Sequence, residues 1–278
     1  MGAAPFRPVW FSGLKMTAPE YDRHGIEVHE AGPEWISEVV GRERQRRRIE
    51  QIAASLEEFE RSYFGIEVGN ERRYFESTPW PYIQPEKNLL DYGCGGSWWK
   101  DHWKLPAHVT GVEVILDSLE DLRRAFPDRV RYRLIYAPNG ITRLPDGSFD
   151  QILSSSVIGY IHPRLATVHV EEIARLLKPS GTAIFTRVNA ANAFALGRGR
   201  LSEANGGFAY RYWMRELLEL IEGAGLEVIE TRRLGLAMPI FRRQIQRLYG
   251  YDWFKRLDRL INTSSLFAVH HLVIAKKR

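Results

Sequence analysis

The chain has 278 residues, 44% hydrophobic and 26% charged, with a formal net charge of +5. That length suits one large domain, or one domain with an extension, able to bury most of its apolar surface without staples. The single cysteine, Cys94, excludes an intrachain disulfide. Met1 to Ser12 lacks the apolar core of a secretory signal, and no run reaches the roughly 18 apolar residues of a membrane span, so the expected location is cytoplasmic.

Residues 1 to about 30 show no periodicity and are broken by Pro5, Pro8, Gly13, Pro19 and Gly25, which predicts a loose arm. Residues 34–63 predict a helix, because Ile49, Ile52, Ala53, Leu56, Phe59 and Tyr63 recur at helical spacing. Trp80 to Pro85 is a stiff connection with two prolines. This division gives an N-terminal arm and helical cap at 1–85 and a main domain at 86–278. From 86 onward strands and helices alternate. Strands are predicted at 88–91, 109–113, 130–135, 149–154, 182–186, 226–231 and 267–275. Helices are predicted from the glycines after Asp91 to about Trp103, from Asp117 onward, at 165–178 and at 212–224. Asp117, with Glu120 three residues on, has the spacing of a capping box. Lys178-Pro179-Ser180-Gly181 stops the third of these helices. Repeated β-α-β units imply a parallel sheet covered on both faces. Residues 235–264 mix Phe241, Ile245, Leu248, Tyr249 and Trp253 with arginines, which predicts an amphipathic helical insert. That insert has three readings: a cover over a pocket, a contact in a homodimer, or a contact with an anionic membrane surface. The pocket cover is preferred. The basic clusters at Arg42–Arg48 and Arg232–Arg259 are read as solvated helix faces.

The chemistry starts at Leu89-Leu90-Asp91-Tyr92-Gly93-Cys94-Gly95-Gly96-Ser97, where a buried strand runs into a glycine turn and then a helix. Glycines let backbone approach a ligand closely, and open α/β sheets bind nucleotides at the carboxyl end of such a strand. Glu113 follows Gly93 by twenty residues, at the end of the next strand, where a carboxylate can accept both ribose hydroxyl protons. A dinucleotide fingerprint needs a small residue where Trp98 stands, and no Gly-Lys-Ser/Thr follows for a phosphate-binding loop. A tight turn with no ligand is the bland alternative.

Four further stretches lie in order after the turn: Gly111-Val112-Glu113, Leu144-Pro145-Asp146-Gly147-Ser148-Phe149-Asp150, Lys178-Pro179-Ser180-Gly181 and Ala224-Gly225-Leu226. With Asp91-x-Gly93-x-Gly95 they resemble the motifs of the class I, Rossmann-like, S-adenosylmethionine-dependent methyltransferases, in particular the small-molecule (type 11-like) group. The resemblance spans roughly residues 80–231 and the last strand. It implies a seven-stranded, mostly parallel sheet with an antiparallel last strand, and S-adenosyl-L-methionine as cofactor. It further implies that Asp91, Gly93, Cys94 and Gly95 wrap the methionine part, with Glu113 on the ribose. Asn139, Gly140 and Ile141 would meet the adenine, where the family often has an aspartate. Ser155 and Ser156 would line the methionine side, and Tyr82 would reach over the cofactor from the extension. Its alternative place is an apolar joint between the extension and the sheet.

Val157-Ile158-Gly159-Tyr160 lacks the Glu-His pair that the family often carries after the fourth strand. His162 and then Tyr160 are the candidates to take a proton from an acceptor hydroxyl, a helix-start role being the alternative for His162. No metal site is expected. The function read from these residues is methyl transfer to a small-molecule acceptor, at a hydroxyl oxygen. Two rivals stand beside it. One is an RNA or other nucleic-acid methyltransferase, favoured by the basic clusters. Against it, Ser154-Ser155-Ser156-Val157 stands where base-nitrogen methylating members carry Asn/Asp-Pro-Pro-Tyr/Phe. The other is a non-catalytic protein that binds the cofactor.

Overall fold

A computed structural model describes residues 20–21, 25–30, 36, 78–95, 108–125, 132–188, 201–202, 209–236, 247–261 and 268–278. The predicted helices at 34–63 and 96–103 lie outside these residues, apart from Ile36, which is helical and buried.

The strands are β1 Glu20–Tyr21, β2 Glu27–Val28, β3 Leu89–Tyr92, β4 Val109–Glu113, β5 Tyr132–Tyr136, β6 Phe149–Ser155, β7 Leu177–Val188, β8 Leu201–Ser202, β9 Ala209–Tyr210, β10 Leu226–Leu236 and β11 Ala268–Lys277. The helices are α1 Leu116–Ala125, α2 Pro163–Leu176, α3 Met214–Gly223 and α4 Asp252–Ile261. Nine strands form one sheet in the order β1-β2-β5-β4-β3-β6-β7-β11-β10. The six from β2 to β7 run parallel to one another, while β1 is antiparallel to β2, and β11 is antiparallel to both β7 and β10. The sheet therefore holds two strands more than the seven expected. The additional pair, β1 and β2, comes from the arm, whose two-residue strands are too short to leave a periodicity in sequence.

The chain lays β3, β4 and β5 outward in one direction, then returns to the other side of β3 to add β6. This reversal opens a crevice at the carboxyl ends of β3 and β6, where ligands bind in open α/β sheets. One face of the sheet, with Leu90, Tyr92, Val112, Ile152, Phe185 and Val273, packs on Val170 and Ile173 of α2 and on Leu217 and Ile221 of α3. The other, with Leu89, Leu153, Ile184 and Ile274, packs on Leu119 and Leu122 of α1, on Ile83, and on Tyr249 and Phe254 at α4. Central parallel strands are covered on both faces, so β3 and β4 are buried at every position, Asp91, Thr110 and Glu113 included.

Local chemistry sets the boundaries. His162 caps α2, with Pro163 at the first helical position, where its missing N–H costs nothing. The helix α1 begins at Leu116, so Asp117 lies inside the first turn and is not the cap that its spacing suggested. Lys178 to Gly181 do end α2, but as an irregular start to β7: Phe149 pairs with Leu177 and Gln151 with Thr182. The Lys178 ammonium sits 3.0 Å from Asp150, which also accepts from the Asn88 amide. The hydrogen bonds from Lys178 and Asn88, together with the Lys178 charge, hold the Asp150 carboxyl below its usual range against a small cost of burial. Arg175 of α2 reaches Asp146, Glu172 and the Leu144 carbonyl at 2.6–2.8 Å, pinning the loop before β6. Several of the motif residues outside the glycine turn are thus scaffolding. The strand β10 continues to Leu236, five residues beyond its expected end, and α4 occupies the later part of the predicted insert. No helix among the described residues is long and apolar enough to cross a membrane.

Candidate active site

The glycine turn leaves β3 at the crevice. Gly93 and Gly95 have φ of 87° and 51°, in the left-handed region that favours glycine. The amides of Gly93 and Cys94 both donate to the Val112 carbonyl, at 2.7 and 3.1 Å, so the turn folds back over the end of β4. A Cβ on Gly93 would meet Val157 Cγ2 at 2.3 Å, whereas one on Gly95 would meet none of the described residues within 4 Å. Gly93 is therefore needed for packing, and Gly95 leaves open space beside the backbone. Cys94 points inward and is buried. Gly111 makes room for it, since a Cβ there would stand 2.9 Å from Cys94 Sγ. Burial, helped by the charges of Asp91 and Glu113, pushes the Cys94 thiol well up. It is packing material rather than a nucleophile.

Asp91 is fully buried on β3, one residue from the turn. Glu113 ends β4 and is buried; its carboxylate accepts from the Gly95 amide at 2.9 Å and the Val114 amide at 2.7 Å. The loop after β5 joins this cluster. The Ala137 amide donates to the Glu113 carbonyl at 2.9 Å, Gly140 turns with φ of 66°, and the Tyr92 hydroxyl donates to the Gly140 carbonyl. Asn139 and Gly140 are half-buried at the surface of this loop, while Ile141 is buried. Asp91, the glycine turn, Glu113 and residues 139–141 thus meet at one edge of the sheet.

Ser155 and Ser156 leave β6 at the same edge. Ser155 Oγ lies 2.9 Å from Thr186 Oγ1, and the Ser156 amide donates to both the carbonyl and the hydroxyl oxygen of Thr186, at 3.0 and 3.1 Å. Ser156 has φ of 60°, a strained turn for a residue with a side chain. Thr186 anchors this turn, and sequence reading missed it. Tyr160 closes a short 3-10 turn at Ile158–Tyr160, and the small β8–β9 hairpin lies against that turn.

His162 Nδ1 accepts from the Arg164 amide at 3.2 Å. Burial, then the Arg164 charge, lower its pKa, so the ring is neutral at pH 7. A neutral ring accepting at Nδ1 carries its proton on Nε2. The cap therefore occupies the one basic nitrogen of that tautomer. Tyr82 stands elsewhere. Its carbonyl accepts from Gln151 Nε2 at 2.8 Å, and its hydroxyl donates to Glu230 Oε1 at 2.8 Å. Gln151 is paired with Leu89, at the start of β3, about 13 Å of strand below Gly93. Tyr82 fills the joint between the extension and the sheet face, and the structure does not bring it to the glycine turn.

Sequence reading also missed a buried polar pair beneath the site. His169 Nε2 lies 2.9 Å from Ser154 Oγ, and its ring meets Tyr92 at 4.7 Å between centroids. Burial lowers the His169 pKa to about 3, so it is neutral. Its one signal in sequence is a histidine midway between Leu165 and Ile173 on the apolar side of a helix. Among the described residues no group of three or more His, Cys, Asp or Glu side chains is arranged to hold a metal ion.

Residues 90–185 match the family model described as a methyltransferase domain. The chain is similar to a ubiquinone biosynthesis O-methyltransferase of Paracidovorax citrulli (strain AAC00-1), 29% identical over 171 residues, 56% of this chain and 70% of that protein. Its fold is shared with an S-adenosylmethionine-dependent methyltransferase from Archaeoglobus fulgidus, with a TM-score of 0.55 at 16% identity over 77% of this chain and 99% of that one. It is shared also with the Burkholderia thailandensis 1,6-didemethyltoxoflavin-N1-methyltransferase, solved with 1,6-didemethyltoxoflavin and S-adenosylhomocysteine, with a TM-score of 0.54 at 16% identity over 94% and 93% of the two chains. The domain built around this crevice is that of the class I methyltransferases. The chain is an S-adenosylmethionine-dependent methyltransferase.

Proposed function

We propose that this enzyme transfers the methyl group of S-adenosylmethionine to a hydroxyl oxygen of a small acceptor bound above the carboxyl ends of β6 and β7. The observation that carries the cofactor assignment is the Glu113–Gly95 clasp. It sets an acceptor carboxylate beside an open glycine turn, one residue beyond the buried Asp91. In this reading Asp91 faces the cofactor's amino group, with Gly93, Cys94 and Gly95 giving backbone along its methionine part. Glu113 takes the ribose hydroxyls, Asn139 to Ile141 border the adenine, and Ser155 and Ser156 border the methionine side. The bound cofactor supplies an electrophilic methyl on sulfur, so the protein's main task is alignment. Support for oxygen as the acceptor atom comes from the similarity to an O-methyltransferase. Tyr160 and His162 border the acceptor's place. His162 takes a hydroxyl proton at Nδ1 only by giving up the Arg164 amide.

Calorimetric titration with S-adenosylhomocysteine tests the site. Glu113→Ala removes up to two charge-assisted hydrogen bonds of about 1.5–3 kcal/mol each, so affinity is expected to fall at least tenfold. Unchanged affinity in Glu113→Ala and in Asp91→Ala would mean that the site is misplaced. Labelled cofactor offered with matched phenol and aniline acceptors separates oxygen from nitrogen transfer, and label on the aniline alone refutes the oxygen assignment.

A further inference from the structure

Helix α4 carries apolar surface that the described residues leave exposed. Phe254 and Asp258 are buried and face inward. Asp258 accepts from the Gly235 amide at 3.0 Å and from the Tyr249 hydroxyl at 3.2 Å, and Phe254 packs edge-on against Tyr249. Beside this docked face, Trp253, Leu257 and Leu260 are 58%, 41% and 81% exposed, and Tyr251, just before the helix, is 57% exposed. The spacing 253, 257, 260 puts the three on one stripe along the helix. Arg256 flanks the stripe beside Leu260, Arg259 follows one step further round, and Lys255 lies on the far side, ion-paired at 3.1 Å with Asp252, the one outward carboxylate of the helix. Exposed Arg247 precedes the helix.

A helix in contact only with water and its own fold has no use for an exposed stripe of Trp and Leu. The cations that border the stripe decide the occupant. A second copy of the chain would bring two cationic helices together, which like charge disfavours. The cores of protein interfaces are also depleted in lysine. A lipid surface with anionic headgroups meets both halves. Tryptophan and leucine enter the boundary between headgroups and acyl chains, and the long basic side chains reach back to the phosphates.

We infer that α4 binds the surface of an anionic bilayer, with Trp253, Leu257 and Leu260 in the interface and Arg256 and Arg259 on lipid phosphates. The helix is tied to Gly235 near the carboxyl end of β10, a strand parallel to β7, so its anchor is at the same sheet edge as the glycine turn. Binding through α4 sets that edge beside the membrane, which suits an acceptor that is itself lipid-borne. This consequence rests on the proposed function, whereas the binding does not.

Flotation of the full-length protein with vesicles tests the binding without any assay of activity. Vesicles of phosphatidylcholine alone are compared with vesicles that also contain phosphatidylglycerol. The anionic vesicles are expected to retain the protein at least about tenfold better, with retention falling as salt rises. Leu260→Glu is expected to lower retention about tenfold or more, and Arg256→Gln about fivefold. Both sites are exposed, so thermal unfolding and S-adenosylhomocysteine affinity serve as controls for folding and stay unchanged. Equal retention by neutral and anionic vesicles, retention by neither, or full retention of Leu260→Glu would overturn the inference. So would a concentration-dependent dimer that Leu260→Glu dissociates, found without vesicle binding; the stripe would then belong to a second copy of the chain.

Discussion

Gly93 and Gly95 stand two residues apart in one turn, yet the structure assigns them different penalties for a methyl group. Both have positive φ, so alanine at either costs about 1–2 kcal/mol in backbone conformation. Alanine also lowers the entropy of the unfolded chain by a similar amount at both sites, and that contribution cancels in the comparison. Only at Gly93 does the new Cβ strike a neighbour, Val157 Cγ2 at 2.3 Å, with Cγ1 at 2.9 Å. Overpacking of this kind costs about 1–3 kcal/mol. Gly93→Ala should therefore destabilise by about 2–5 kcal/mol in equilibrium urea unfolding, and Gly95→Ala by about 1–2 kcal/mol. Val157→Ala removes both offending methyls and leaves only its Cβ, at 3.2 Å. The double variant should therefore recover about 1–3 kcal/mol relative to the sum of the single ones. Equal costs at 93 and 95, or strictly additive penalties in the double variant, would show that Val157 does not press on the turn.

Three other outcomes follow from buried polar groups. His169 is neutral in the fold, with its pKa near 3, and takes a proton near 6.5 when unfolded. Between those values the unfolded chain binds more protons, so the contribution is complete above pH 6.5. It is lost as pH falls toward 3, at up to about 1.4 kcal/mol per pH unit. His169→Gln should flatten the acid side of the urea-midpoint profile, and a parallel, merely shifted profile would exclude that role. Asp258→Ala leaves the Gly235 amide and the Tyr249 hydroxyl without their acceptor, costing about 2–4 kcal/mol. Limited proteolysis should cut near α4 before the rest of the domain, and an unaltered cleavage pattern would count against that docking. Arg175→Met breaks the hold on Asp146 and the Leu144 carbonyl and leaves the buried Glu172 charge uncompensated. A loss of about 3–5 kcal/mol is expected, and a variant as stable as the parent would contradict it.

The strands β3 and β4 were legible because each is a short, mostly apolar run ended by a glycine or an acid. The observed β4 has the expected bounds, and β3 and β6 differ from theirs by a residue. The glycine turn and Glu113 were legible for the same reason, being local and marked by residue types with few other uses. What escaped depends on partners far along the chain. Nothing in Glu27 or His29 announces Arg133 and Arg143, more than a hundred residues away, so β2 could not be read. Thr186 is one threonine among many until β6 and β7 lie side by side. Tyr82 and His162 were offered two places each by their sequence context. The structure seats Tyr82 on the sheet face and His162 on a helix start, the more ordinary of the two. An amphipathic insert around α4 was visible in sequence through Leu248, Tyr249 and Trp253, but the exposed stripe of Trp253, Leu257 and Leu260 emerged only with the fold.

The arm residues near β5 have a bearing on how the protein keeps to itself. Were β5 the border of the sheet, its row of amides and carbonyls would be open to strand pairing with another molecule. Instead Glu27 and Val28 pair with Ile135 and Tyr136, and the Glu27 carboxylate grips Arg133 at 2.6 and 2.7 Å. His29 completes the clasp, with its amide on the Tyr136 carbonyl and Nδ1 accepting from the Arg143 amide. The far border is guarded differently: β10 presents Glu227, Glu230, Arg232 and Arg233. One border is thus moved out from β5 to the two-residue β1, and the other carries charge. Loss of the clasp would register first as turbidity on heating rather than as weaker binding of any ligand.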